Sequence, residues 1–129
     1  MANVTDVQTI QDGDRNLVLK ITGVLDTGNV SKATLVDVSA LVPAASLVHL
    51  RSAKWSVQEP LSVNLYWNAN TDLPFLCMSG ADHQQYGPEG NLPNNAGAGV
   101  NGDVEYETTG YASGTVTYTA VLVFVKTPA

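Results

Sequence analysis

The chain has 129 residues and a mass of 13.6 kDa, the size of one domain. Hydrophobic residues make up 44% of it and charged residues 14%, which excludes a disordered tail. A net charge of −6 with a pI near 4.5 argues against nucleic acid as a partner, because phosphate binding requires clustered Lys and Arg. No run of 18 apolar residues offers a membrane span, so no membrane partner is expected. The opening MANVTDVQTIQDGD lacks the basic and apolar regions of a secretory signal. Valine contributes 17 residues and threonine 12, punctuated by 11 Gly and 6 Pro, a usage that favours strands and turns over helices.

In chain order, Val4 to Gln11 reads as a strand that ends in Asp12-Gly13, a dipeptide suited to a tight hairpin. Residues 1–6 precede the first good strand signal and are expected to form an N-terminal arm. Leu17, Leu19, Ile21 and Leu25 mark the apolar face of a second strand, opposite Asn16, Lys20 and Thr22. Ala33 to Val38 is a short strand, and Leu41 to Ala45 a turn or brief helix around Pro43. A longer strand runs from Leu47 to Val57, with His49, Arg51, Ala53, Trp55 and Val57 at odd positions and Val48, Leu50, Ser52 and Lys54 at even ones. The cleanest alternation follows in Leu61–Asn68, where Leu61, Val63, Leu65 and Trp67 are expected to face the core. Leu73 to Ser79 is another strand, with Pro74 near its start.

Residues 80–102 differ in kind. They hold six of the 11 glycines, two prolines and scattered Asn and Gln, which predicts a long Gly/Asn/Pro-rich contact loop. Val104 to Thr109 and Gly114 to Lys126 close the fold. The last strand alternates and then becomes apolar on both faces, so a central place in a sheet is expected, with Leu122 and Phe124 in the core. The whole predicts an all-β, single-domain antiparallel β-sandwich or jelly roll over residues 1–129, with a core that includes Leu19, Ile21, Val63, Leu65, Trp67, Leu122 and Phe124. Residues 1–54 carry five acids and five bases, whereas residues 55–129 carry seven acids and only Lys126, so an acidic face is expected from the second half.

Tests for chemistry are negative. Cys77 is the one cysteine, in an apolar run, and reads as a small buried hydrophobe. Gly97-Ala98-Gly99-Val100-Asn101-Gly102 matches a dinucleotide-binding string but lacks the preceding strand and following helix. Asp12-Gly13-Asp14-Arg15-Asn16 has oxygen spacing suited to calcium, yet a hairpin turn explains the same residues. His49 and His83 are the only histidines and form no metal-ligand cluster. Glu105 and Glu107 share one strand face, read as a solvated edge. No cofactor, metal or catalytic residue is expected, and the chain does not read as an enzyme.

Val7-Gln8-Thr9-Ile10-Gln11-Asp12-Gly13, Arg15-Asn16 and Lys20-Ile21-Thr22-Gly23-Val24-Leu25-Asp26 resemble the opening of small proteins encoded beside the major capsid protein of tailed bacteriophages. Val63-Asn64-Leu65-Tyr66-Trp67 and Asn94-Asn95-Ala96-Gly97-Ala98-Gly99 extend the likeness over about residues 7–125. The resemblance implies a head decoration, or cement, protein on the outer surface of the virion capsid. Its expected partners are the major capsid protein and itself, as a dimer or trimer. Candidate contact residues are Asn3, Val4 and Thr5 of the arm and His83, Tyr86, Pro88, Leu92, Asn94 and Asn95 of the loop. The alternative is a carbohydrate- or receptor-binding β-sandwich module of a virion, with Tyr66, Tyr86, Tyr106 and Tyr111 as candidate sugar platforms.

Overall fold

The structure, a computed structural model, describes residues 3–13, 15–41, 45–86 and 102–128. Among these residues it is all-β, with two antiparallel sheets packed face to face. Nine strands are formed: β1 (Val4–Asp12), β2 (Asn16–Leu25), β3 (Ala33–Val36), β4 (Ala45–Val57), β5 (Ser62–Trp67), β6 (Leu73–Met78), β7 (Gly80–Gln85), β8 (Val104–Thr109) and β9 (Val116–Pro128). One sheet has the order β1-β2-β9-β4-β7, the other β3-β8-β5-β6. The pairs β2–β9, β3–β8, β4–β7 and β5–β6 are the rungs of a single antiparallel ribbon that turns back between β5 and β6. Rolling that ribbon brings β9 against β4 and β8 against β5, which completes the two sheets.

Alternation places the core. On β2, Leu17, Leu19, Ile21 and Leu25 are buried, and on β5 so are Val63, Leu65 and Trp67, with Leu61 just before the strand. Val116, Tyr118, Ala120, Leu122 and Phe124 of the central strand β9 meet them from the same side as β2. Full burial of each large side chain contributes about 1.5–3 kcal/mol. The Trp67 indole stacks on Phe75 with ring centroids 3.7 Å apart and planes 12° from parallel. The expected core residues Leu19, Ile21, Val63, Leu65, Trp67, Leu122 and Phe124 are all buried.

Strand β4 changes face midway. Its register against β9 shifts between Leu50 and Ser52, so an extra residue at Arg51 moves the inward set from Val48 and Leu50 to Ala53, Trp55 and Val57. The two half-alternations visible in the sequence are therefore both inward faces, one on each side of a bulge.

Two expectations are corrected. The first residues of the predicted 80–102 loop are strand β7, paired with β4 from Val57↔Gly80 to Ser52↔Gln85. Gly80, at φ +64°, opens β7 directly after the one-residue link Ser79, where the chain passes from β6 in one sheet to β7 in the other. The Trp55 indole N–H donates to the Ser79 carbonyl at 3.0 Å and fastens that link. The predicted 1–6 arm is also shortened, because β1 begins at Val4 and pairs with β2 from Val4↔Val24 onward. Asn3 is anchored as well: its side-chain oxygen accepts from the N–H groups of Asp26 (2.7 Å) and Thr27 (3.0 Å), and its amide donates to the Gly28 carbonyl (2.9 Å). At the far end of the hairpin, the Gly13 N–H donates to the Asn16 carbonyl at 2.9 Å. The Asp12 carboxylate accepts from the Lys126 ammonium, whose side chain is almost fully buried. The Asp12 of the calcium-like spacing is thus engaged in an ion pair; Asp14 lies outside the described residues.

Candidate functional site

The two outward faces of the sandwich carry opposite chemistry. On the five-stranded sheet, inward Leu17, Leu19 and Ile21 leave Val18, Lys20, Thr22 and Val24 pointing outward, and inward Leu122 and Phe124 leave Val121, Val123 and Val125 outward. Register aligns Gln8, Lys20, Val121, Lys54 and His83 in one row across all five strands. The next row brings together Val18, Val123, Ser52 and Gln85. The result is a half-buried valine stripe between Lys20 and Lys54, with no carboxylate facing outward from β2, β9 or β4. Toward β7, a shallow depression of about 400 Å³ is lined by Lys54, Ser56, Ala81, His83, Thr119 and Val121, among others.

The four-stranded sheet presents acids. Glu105 lies opposite Tyr66 and Glu107 opposite Asn64, so both carboxylates share the outer face, but β8 is an interior strand between β3 and β5 and both residues are half-buried, which corrects the expected solvated edge. The Tyr66 hydroxyl donates to Glu107, and that bond to a carboxylate, with burial and its charge, pushes the phenol pKa up to about 12. The Lys32 ammonium sits 4.0 Å above the Tyr66 ring and 3.2 Å from Asp72. Asp72 accepts from the Ala69 N–H at 3.0 Å, which with its bonds to Glu105 and Lys32 holds its pKa low. Burial, then the hydrogen bond and negative charge of Asp72, push Glu105 the other way. Asp72, Glu105 and Glu107 thus gather on this face, whereas Asp82 lies on β7 of the other sheet and Glu89 outside the described residues.

The candidate contact residues fall at opposite edges of the five-stranded sheet. Asn3, Val4 and Thr5 are at the β1 edge, and His83 and Tyr86 at the β7 edge. Four strand spacings separate them, about 19 Å, so one small ligand cannot meet both groups. His83 is exposed, and Tyr86 is half-buried with its N–H donating to the Arg51 carbonyl at 2.8 Å and its hydroxyl to Gln84 at 2.5 Å. Pro88, Leu92, Asn94, Asn95 and the 97–101 glycine string lie outside the described residues.

Sequence reasoning missed the valine stripe. Its signal was the apolar doubling of Val121–Val125, read as the mark of a central strand; the strand is central, and its second face is also the outer surface. Of the candidate sugar platforms, Tyr106 is buried and Tyr66 has Lys32 over its ring. Cys77, expected to be buried, is exposed on β6, because the bulge at Phe75 turns Leu76 and Met78 inward. Among the described residues, no group of three or more His, Cys, Asp or Glu is placed to hold a metal. No known protein family matches the sequence, and no curated protein or solved structure matches it either.

Proposed function

We propose that the chain is a tailed-bacteriophage head decoration protein. In this reading it lies on the outside of the assembled shell, docks through the outward face of its five-stranded sheet, and stabilises the major capsid protein lattice. The observation that carries the reading is the valine stripe flanked by Lys20 and Lys54. Such a face loses little on desolvation and gains apolar contact and charge steering against an apolar surface rimmed with acids. The acidic sheet then faces solvent.

The winding supports it too. With β1 set aside, the four rungs β2–β9, β3–β8, β4–β7 and β5–β6 follow the scheme of a jelly roll, a fold used for virion shells and for sugar-binding domains. The glycan-binding alternative is less well supported, because Tyr66 is capped by Lys32 and Tyr106 is buried.

No covalent chemistry is required of a decoration protein. A ligand that binds only the assembled lattice stabilises it by about 2.7 kcal/mol per site when present at a hundred times its Kd, and many sites act together. The test is to mix the purified chain with undecorated shells of its own phage and sediment them. Saturable binding at a fixed ratio, with shells that survive higher temperature, is expected. Val123→Glu, which places a charge in the stripe, should abolish binding while the protein stays folded. Failure of the parent to bind, or full binding by the variant, overturns the reading.

A further inference from the structure

Among the described residues, strand β1 is a free edge of the five-stranded sheet. It holds every exposed large hydrophobic side chain among the described residues: Val4 at 56%, Val7 at 39% and Ile10 at 58% exposure. Long edges with unpaired N–H and C=O groups are ordinarily guarded by Lys, Pro or shortness. Between Val4 and Gln11 the only charge is Asp6. Beside this edge the sandwich is open, with Val7, Thr9, Leu17, Leu19, Leu35 and Leu41 lining part of a recess of about 200 Å³.

We propose that β1 pairs antiparallel with β1 of a second copy, about a two-fold axis that passes through Val7 perpendicular to the sheet. Such an axis preserves inward and outward faces, so only registers centred on a residue can pair like face with like. Centring on Val7 sets Val7 against Val7, Thr5 against Thr9, Asp6 against Gln8 and Val4 against Ile10. Apolar then meets apolar and threonine meets threonine, the pairings that favour antiparallel strands. Centring on Asp6 places two carboxylates face to face. Centring on Gln8 sets Asp6 against Ile10 and Val4 against Asp12. The sequence of the edge therefore selects one register; the run Thr5–Thr9 that carries its central pairs is unbroken, and the Val4–Ile10 pair at its ends meets the bulge between Thr9 and Gln11.

The same axis joins two five-stranded sheets into one of ten strands. Both valine–lysine faces then point the same way and both acidic faces the other. The pairing stands independently of the capsid reading; the use of a doubled docking face on a two-fold of the lattice rests on it.

Sedimentation of the full chain over a range of concentrations tests the pairing. A reversible monomer–dimer equilibrium is expected, with Val7→Lys monomeric wherever the parent is a dimer and its far-ultraviolet spectrum unchanged. Cross-linking is the second arm. Residues directly opposite across antiparallel strands have Cα atoms about 4.5–5.5 Å apart, within disulfide range. In a Cys77→Ser background, which removes the exposed native thiol, Val7→Cys should oxidise to a disulfide dimer. Ile10→Cys should not, because residue 10 faces residue 4. A parent that is monomeric throughout, a dimer that Val7→Lys leaves intact, or equal cross-linking by Ile10→Cys overturns the inference. A monomer that decorates shells would defeat the dimer alone, and a dimer that ignores shells would defeat the decoration reading alone.

Discussion

The ring of Tyr118 lies over Gly23, so close that a Cβ at Gly23 would stand 2.3 Å from the ring atoms. The two residues are directly opposed across β2 and β9, and Thr5 of β1 completes the row. The glycine is required here by the aromatic lid over it. Burial raises the pKa of the Tyr118 phenol, and its hydroxyl, beside Thr5, makes no well-formed hydrogen bond.

Gly23→Ala should therefore destabilise the fold by about 1–3 kcal/mol through overpacking. Pairing it with Tyr118→Leu should recover part of the loss, because the two changes share one contact. Chemical denaturation of both single variants and the double variant checks this. Strictly additive effects would show that the ring and the glycine do not compete for space.

Trp67→Ala should cost about 3–5 kcal/mol, since it empties a fully buried site and removes the stack on Phe75. That is a large share of the 5–15 kcal/mol typical of a domain. A melting temperature lowered by only a degree or two would contradict the packing described.

The strands with one wet and one dry face were legible because period-two alternation is a direct image of burial. Leu61, Val63, Leu65 and Trp67 on β5 and Leu17, Leu19 and Ile21 on β2 are of this kind. Strand β7 was not, because Gly80–Gln85 is an exposed edge with no apolar face to display, and it is a strand only by pairing with β4. The phase change in β4 needed a bulge that pairing with β9 reveals. The proposed docking face was partly hidden for a different reason: Lys20, Val121 and Lys54 are remote in sequence and meet only through register.

Glu105 and Asp72 predict opposite responses to pH. The raised pKa of Glu105 means that the folded state holds its proton more tightly than the unfolded chain does. Its contribution is favourable below the ordinary carboxylate range and is lost as pH rises through the raised value. Glu105→Gln should accordingly raise the melting temperature at neutral pH, with the gain shrinking toward about pH 4. The lowered pKa of Asp72 gives stability that is present at neutral pH and lost as pH falls through that value, so Asp72→Asn should melt lower at neutral pH. Thermal melts of the two variants across this range decide the signs.

In the proposed decoration role, Lys20 and Lys54 should govern how fast the protein finds a site on the shell. Replacing both with Glu is expected to slow association and to reverse its dependence on salt, because exposed charges steer encounter within a Debye length of roughly 8–10 Å. Stopped-flow binding to shells at two ionic strengths measures it. An unchanged rate would place the docking surface elsewhere.

The most direct measurement is electron cryomicroscopy of shells saturated with the chain. Sandwich-shaped density is expected on the outer surface, with Val121, Val123 and Val125 against the major capsid protein and Glu105 and Glu107 turned to solvent. Density with the acidic sheet against the lattice, or shells that remain bare at saturating protein, would contradict it.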